Sequence, residues 1–207
     1  HEHSDHIAGL QQLLKRFDIP VYTKQGTWRE IQDKLIVPKN RLIELTKGSL
    51  TLGSLIVEPF SVSHDAADPI GINVFAGNDK ATIVTDTGVI SDDILRRIDD
   101  TTLLVLEANY DPHMLRFGPY QPFLKQRVAS DEGHLSNEMA AQALLMMKRP
   151  DFMQVILAHR SENNNNSVLV TQTIGKMLVD GGVRIGPEMK LQHGQPNEIV
   201  SIQSVKR

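Results

Sequence analysis

The first six residues of the chain read HEHSDH and hold three histidines and one aspartate. On a turn, His1 and His3 point to one side while Asp5 and His6 reach the other, so one short loop supplies ligands to two adjacent metal ions. Mixed nitrogen and oxygen ligands suit zinc, manganese or iron(II) better than calcium. The alternative is a His-rich tag or a solvated terminus, which would not hold an aspartate within the motif or lead directly into an apolar helix. The motif therefore predicts a metal site, provided that later residues supply the missing ligands.

The composition limits the class of protein. The chain has 207 residues, 40% of them hydrophobic, and a formal net charge of −3, so we expect a single domain over residues 1–207. It has no cysteine, and any metal must be held by histidines and carboxylates. The pI of about 6.2 argues against a general nucleic-acid coat, which needs a basic surface, but not against an enzyme that grips phosphates locally.

The hydropathy pattern contains no membrane segment. No apolar run approaches the ~18 residues needed to cross a bilayer, and no signal peptide is visible. We therefore expect a cytoplasmic protein with no membrane partner.

Hydrophobic spacing predicts the helices and strands. A first helix is expected over 7–17, and the pair Thr27 and Glu30 has the spacing of a capping box that opens a second. Apolar and β-branched runs predict strands at 19–22, 41–46, 54–62, 70–75, 81–85, 102–106, 155–158 and 198–202. Further helices are expected from Ser91 to Arg97, in two short segments that carry Arg116 to Arg127, from Ser136 to near Pro150, and over 168–179.

Three side chains that bind metals follow predicted strands. They are His64 after the strand 54–62, Asp86 after 81–85 and His159 after 155–158. A carboxylate at the end of a buried strand is costly unless it is paired or metal-bound, although Asp86 can instead cap the turn before Gly88. A lone His64 would more often be a satisfied or exposed imidazole. Asp65 is expected either to orient a ligand histidine or to cap a turn.

The motif HxHxDH, followed in order by a histidine, an aspartate and a histidine, resembles the signature of the metallo-β-lactamase fold superfamily. The resemblance implies an α/β fold, a four-layer αββα sandwich with a dinuclear site along one edge. It also implies N-terminal strands before the motif, so we expect a fragment that lacks them. One metal would be held by three histidines and the other by an aspartate and two histidines, with an aspartate bridging both: His1, His3 and His64; Asp5, His6 and His159; and Asp86.

Two divalent ions, zinc or manganese, would carry out hydrolysis at such a site. A pair of ions lowers the pKa of a shared water toward neutrality and clamps a substrate oxyanion. Asp5 is also a candidate for acid–base assistance, in competition with its role as a ligand. The ligand set suits zinc and manganese alike, and nothing in the sequence indicates an oligomeric state.

Four further blocks resemble the YycJ/WalJ group of this superfamily: EANYD at 107–111, MLRFGPY at 114–120, LKQRV at 124–128 and GHLSNE at 133–138. The group is associated with metal-dependent 5′-to-3′ exonuclease activity, which implies DNA as the substrate. Similarity to phosphodiesterases of the RNase Z type implies a dyad, in which Glu107 orients His134 and His134 protonates the leaving oxygen. Such general-acid help is worth about 10² to 10⁴ in rate; structural roles for both residues are the alternatives.

Substrate phosphates need cations, and Arg116, Lys125 and Arg127 are the candidates. Arginine offers bidentate donors and lysine a point charge; a solvated helix face is the alternative for all three. Because no extended basic channel is visible, hydrolysis of a small phosphodiester or thioester on the same metals stays open. A non-catalytic binding protein would be expected to have lost ligands, and all seven are present.

Overall fold

The computed structural model describes residues 1–46, 48–196 and 198–202. The chain begins with α1 (Ser4–Ile7), α2 (Leu10–Arg16), β1 (Val21–Thr23), α3 (Gln25–Ile31), a 3-10 turn (Lys39–Arg41) and β2 (Leu42–Glu44). Four strands follow: β3 (Leu50–Leu52), β4 (Leu55–Ser61), β5 (Ile70–Ala76) and β6 (Asp79–Val84). Helices then alternate with strands: α4 (Asp92–Ile98), β7 (Leu103–Glu107), α5 (Pro112–Phe117), α6 (Pro122–Val128), α7 (Asn137–Met146), β8 (Met153–Ala158), α8 (Ser167–Asp180) and β9 (Met189–His193).

Strands β3 to β9 form one seven-stranded sheet, in which each strand pairs with the next along the chain. Strands β3 to β6 pair antiparallel, whereas β6 to β9 pair parallel. Strands β1 and β2 form a separate parallel pair. Because β4 therefore runs in the same direction as β6, the carboxyl ends of β4, β6, β7 and β8 lie at one edge of the sheet. Residues that follow these strands are brought together there.

The main hydrophobic core lies between the sheet and helices α4, α7 and α8. Leu104 and Leu106 of β7 and Leu157 of β8 are at most 1% exposed, and Leu144 and Ile174 meet them from α7 and α8. Burial of such a side chain contributes about 1.5–3 kcal/mol. Since this layer is closely packed, it fixes the strand ends at the edge of the sheet.

A smaller core supports helices α5 and α6. It consists of Tyr110, Leu115 and Val128, with Tyr120 and Leu124 packed against them.

The longest helix of the described chain, α8, has 14 residues, and none of the described helices combines the length and apolar character that crossing a bilayer requires.

Serine caps are confirmed at two predicted helix starts. The backbone N–H of Ile94 donates to Ser91 Oγ at the start of α4 (3.2 Å), and that of Met139 donates to Ser136 Oγ at the start of α7 (3.2 Å). Both side chains satisfy a donor that has no partner within the helix. The strands predicted up to residue 158 are confirmed within a few residues.

Three predicted elements are wrong. The first helix is divided at Gly9 into α1 and α2. Thr27 lies inside α3, whose N-cap is Lys24, because its hydroxyl donates to the carbonyl oxygen of Asp68 (3.1 Å) rather than to the helix end. The last strand of the described residues is β9, not 198–202, because residues 189–193 pair parallel with β8 and bury Met189 completely.

Candidate metal centre

The candidate site lies at the edge of the sheet where four strands end. His64 and Asp86 lie just beyond β4 and β6, His159 directly follows β8, and Glu107 is the last residue of β7. The amino-terminal motif packs against them, with the ring of His1 centred 4.9 Å from that of His64. Residues far apart in the sequence meet here because the strands that carry them run in the same direction.

A first cluster consists of His1, His3 and His64, whose nearest ligand atoms lie within 4.8 Å of one another. His64 Nδ1 lies 3.0 Å from the carbonyl oxygen of Gly133, to which it donates, so Nε2 holds the lone pair. That nitrogen is 3.3 Å from His3 Nδ1, a distance at which a proton or a common cation must lie between them. Burial lowers the pKa of His64 more than the charge of Asp86 raises it, which favours the neutral form that binds metals.

A second cluster consists of Asp5, His6, Asp86 and His159, again with ligand atoms within 4.8 Å of one another. His6 Nε2 is 3.3 Å from Asp86 Oδ2 and 3.5 Å from Asp5 Oδ2. His159 Nε2 is 3.3 Å from Asp86 Oδ1 and 3.4 Å from Asp5 Oδ2. Two imidazoles and two carboxylates thus converge on one point.

Asp86 lies between the two clusters. Besides its contacts in the second, its Oδ1 is 3.9 Å from His1 Nε2 and 3.8 Å from His64 Nε2. The residue is only 2% exposed. Burial raises the pKa of this carboxyl, but the close approach of the His6 imidazole and the charges of His159 and His6 lower it further, well below its usual range. A carboxylate that stays charged between two groups of imidazoles is what a bridging ligand requires.

The backbone and the unpaired atoms of the site also fit metal ions. Asp86 and His159 have positive φ angles of 57° and 50°, a conformation that costs non-glycine residues free energy and persists mainly at functional sites. Asp86 Oδ2 and His1 Nε2 are buried without a hydrogen-bond partner in the described chain. Buried polar atoms normally have partners, and two divalent cations would supply them here.

Glu107 connects the second cluster to His134. Its side chain is completely buried, and its Oε2 accepts hydrogen bonds from His134 Nδ1 (2.8 Å) and His159 Nδ1 (2.7 Å). Its Oε1 accepts the backbone N–H of Leu135 (2.9 Å). Burial raises the pKa of Glu107, but the hydrogen bonds from His134 and His159 outweigh it and lower the pKa. The carboxylate therefore stays charged and fixes the orientation of both rings.

His134 flanks both clusters. Its ring is centred 5.1 Å from that of His64 and 5.2 Å from that of His159. Since His134 Nδ1 donates its proton to Glu107, Nε2 is available to a molecule in the adjoining cavity, which His134 lines. The dyad of Glu107 and His134 implied by the resemblance is thus present as a hydrogen-bonded pair.

A cavity of about 780 Å³ opens over the second cluster. Of the three predicted phosphate-binding residues, only Arg127 lines it, and its guanidinium pairs with Asp65. Lys125 Nζ instead donates to the carbonyl oxygen of Arg116 (2.8 Å), and the Arg116 guanidinium lies 5.3 Å from the centre of the Phe117 ring. The structure therefore brings Arg127 to the site and leaves the other two cations outside this cavity.

The lining also includes residues that the sequence did not single out. Asn109 and Arg160 both face the cavity. Both are close to predicted ligands or motifs in the sequence, Arg160 next to His159 and Asn109 within EANYD, and adjacency was the one signal that marked them. Asp65 does not accept the Nδ1 proton of His64, because that nitrogen donates to the carbonyl oxygen of Gly133 instead.

Two glycines let the loops of the site pack closely. A Cβ on Gly133 would lie 2.3 Å from the carbonyl oxygens of Arg127 and Val128, and one on Gly88 would lie 2.2 Å from that of Ser130. No other residue type fits at these distances. Gly133 can thus approach α6 while its own carbonyl accepts from His64.

Replacing Glu107 by glutamine is expected to weaken metal binding about 10- to 100-fold, because ligand histidines depend on the carboxylate that orients them. Glutamine keeps the shape but cannot accept both imidazole protons as a charged group. A competition titration against a metal chelator measures the affinity. Glu58→Gln, on β4, is the matched control; equal affinities for the two variants would contradict the role given to Glu107.

The pH dependence of metal binding follows from His159. Burial disfavours its charged form, but the hydrogen bond to Glu107 and the charges of Asp86 and Glu107 outweigh burial and raise the pKa to about 9 in the metal-free protein. An ion that binds at neutral pH must displace this proton, so affinity should rise about tenfold per pH unit until pH 9. Calorimetry in two buffers of different ionisation enthalpy counts the released protons. Affinity that does not change between pH 7 and 9 would contradict this assignment.

Three comparisons relate this chain to known proteins. A model of the beta-lactamase superfamily domain matches residues 1–159. The chain is 35% identical over 207 residues to exodeoxyribonuclease YycJ of Bacillus anthracis, covering 99% of this chain and 78% of that protein. It is 32% identical over 202 residues to exodeoxyribonuclease WalJ of Streptococcus pneumoniae, covering 95% and 75%. The metallo-beta-lactamase fold protein YhfI from Bacillus subtilis superposes with a TM-score of 0.66 at 15% identity, covering 94% and 72%.

Proposed function

This chain belongs to the metallo-β-lactamase superfamily and, within it, to the YycJ/WalJ group, and we propose that it is a 5′-to-3′ exodeoxyribonuclease with a centre of two divalent ions, zinc or manganese. Because the chain belongs to this superfamily, it is a metal-dependent hydrolase, and the predicted α/β fold is confirmed. The observation that carries the dinuclear proposal is the position of Asp86 between two clusters of histidines. When bound, the ions supply Lewis-acid activation of a water and of a phosphoryl oxygen.

The seven predicted ligands are proposed to divide as the two clusters do. His1, His3 and His64 would hold one ion. The other would be held by Asp5, His6 and His159, with Asp86 shared between both ions. Since Asp5 lies against two imidazoles of its cluster, we assign it to the metal rather than to proton transfer.

The proton for the leaving oxygen is proposed to come from His134. Glu107 accepts the Nδ1 proton of His134, which directs the other nitrogen to the cavity. A ring held in this way can give its Nε2 proton to the oxygen that leaves the phosphorus. The negative charge of Glu107 compensates the imidazolium until the proton has moved.

Recognition of the phosphate backbone is proposed to involve Arg127. Its guanidinium lines the cavity, and its pairing with Asp65 holds it in place while leaving about half of the side chain exposed. Arg116 and Lys125 lie outside this cavity, and we propose that they contact the DNA strand beyond it. The relatives named exodeoxyribonucleases support DNA as the substrate.

The substrate class is tested by comparing the metal-loaded protein on four substrates: linear duplex DNA, closed circular DNA, a cyclic dinucleotide and a glutathione thioester. Linear DNA should be degraded, and closed circular DNA should stay intact because an exonuclease needs an end. Turnover of the cyclic dinucleotide or the thioester without degradation of DNA would replace the proposal by a small-ester hydrolase.

A further inference from the structure

Arg160 is a cation in the cavity that the proposed mechanism leaves unused. It directly follows the candidate ligand His159, and its side chain lines the cavity. Its Nη1 atom is buried without a hydrogen-bond partner among the residues that the structure describes. Within the same residues it forms no ion pair, although Glu162 lines the same cavity. A guanidinium is always charged, and a buried donor without a partner is costly, so this position suits an anion.

Arg127, the other arginine that lines the cavity, differs from Arg160 in its exposure and in its ion pairing. Arg127 has a side chain that is 53% exposed, and its charge is balanced by Asp65. The charge of Arg160 also lowers the pKa of His193, after the larger effect of burial. A histidine carries no negative charge, so His193 does not balance the arginine. Arg160 is the cavity cation whose charge remains available.

The backbone around Arg160 is fixed on both sides by one residue. Asn109 Nδ2 donates to the carbonyl oxygen of His159 (2.8 Å), and the backbone N–H of Ser161 donates to the carbonyl oxygen of Asn109 (2.9 Å). Asn109 lies just beyond β7, which pairs with β8 in the core of the sheet. The position of Arg160 relative to the second cluster is thus set before any substrate binds, which lowers the entropic cost of binding.

We propose that Arg160 binds the phosphate next to the scissile phosphate of a nucleic-acid strand. This inference rests on the proposed function, in which the metal centre holds the scissile phosphate beside His159. The planar guanidinium can donate two parallel hydrogen bonds to phosphate oxygens. The same chemistry has two sources, a terminal 5′-phosphate or the next internal phosphodiester, and the test separates them.

The test compares wild type with Arg160→Gln on three substrates: a 5′-phosphorylated oligonucleotide, its 5′-hydroxyl counterpart and bis(p-nitrophenyl) phosphate, which has no second phosphate. In Arg160→Gln we expect kcat/KM for the oligonucleotides to fall about tenfold or more relative to kcat/KM for the small diester. The fall should come mainly from a higher KM for the oligonucleotides. An effect only on the 5′-phosphorylated strand assigns the terminal phosphate, and an effect on both strands assigns the internal one. Arg160→Lys, which keeps the charge, should recover part of the loss.

The matched control is Arg96→Gln, because Arg96 is an exposed arginine of α4 that, within the described parts of the chain, pairs only with Asp93. It should leave the ratio of the two kcat/KM values unchanged. A fall of both activities by the same factor in Arg160→Gln would show a structural role, and an unchanged ratio would show that Arg160 contacts no phosphate. Either result overturns the proposal.

Equilibrium binding gives a readout that does not depend on turnover. In a His134→Asn background, which should cleave slowly but keep its metal, the dependence of oligonucleotide binding on salt should become shallower by about 0.7 in log–log slope when Arg160 is replaced, as expected for one lost phosphate contact on a single strand. An unchanged slope contradicts the proposal. If wild type hydrolyses the small diester but neither binds nor degrades DNA, the proposed function itself is wrong, and the assignment of Arg160 falls with it.

Discussion

Replacing Asp86 by asparagine is expected to lower kcat/KM for DNA hydrolysis by about 10³ or more. Among the described residues, Asp86 is the one carboxylate in contact with both clusters, and the metal centre that it is proposed to join would supply several kcal/mol of charge stabilisation. Asparagine tolerates the left-handed backbone of this position, so the fold should survive. Metal content and activity are measured together on the purified variant.

The control for this prediction is Asp93→Asn, since Asp93 is exposed on α4 and its ion pairs with described residues are all to arginines of the same helix. It should retain both metal and activity. Circular dichroism of both variants checks that the fold is intact. If Asp86→Asn kept wild-type metal content and turnover, the bridging role and the catalytic scheme built on it would be wrong.

Replacing His134 by asparagine is expected to lower kcat for DNA by about 10² to 10⁴, the usual worth of a general acid. Metal content should stay close to that of wild type, because His134 is proposed to donate a proton and not to hold an ion. The exposed His113 of α5, which contacts Phe117 (ring centroids 4.6 Å apart), offers the control His113→Asn, which should keep full activity.

A good leaving group distinguishes proton donation by His134 from a structural role. The p-nitrophenolate that leaves bis(p-nitrophenyl) phosphate needs little protonation, so His134→Asn should slow this substrate far less than DNA. Equal losses on the two substrates would mean that the variant disturbs the metal centre, and that the dyad with Glu107 does not supply the proton.

The sequence predicted those residues of the candidate site that lie at the ends of recognisable strands. His64, Asp86 and His159 each follow a run of apolar residues, and parallel strands bring such positions to one edge of a sheet. The same reasoning placed Glu107 at the end of β7. Their positions were predicted because strand ends can be recognised without knowing the partner strands, and their roles were predicted from the resemblance to the superfamily.

What the sequence missed depends on contacts between distant segments. Asp65 pairs with Arg127, 62 positions away, and no local pattern reveals that pairing. Asn109 fixes the loop around Arg160 through contacts that only the packing of β7 against β8 creates. The capping box at Thr27 failed for the same reason, because a tertiary hydrogen bond took its hydroxyl.

The single domain over residues 1–207 and the cytoplasmic location stay predictions. The roles of the individual ligands stay predictions as well, and the choice between zinc and manganese belongs to metal analysis of the purified protein.

A titration of the metal-free protein with manganese tests the two-ion exonuclease most directly. Native mass spectrometry counts the bound ions at each step, and a sequencing gel of end-labelled linear duplex DNA follows cleavage in the same samples. We predict that two ions bind per chain and that shortening from the 5′ end appears as the second ion binds. Protein that holds two ions and leaves the DNA intact, or that reaches full activity with one ion, would contradict the proposed centre.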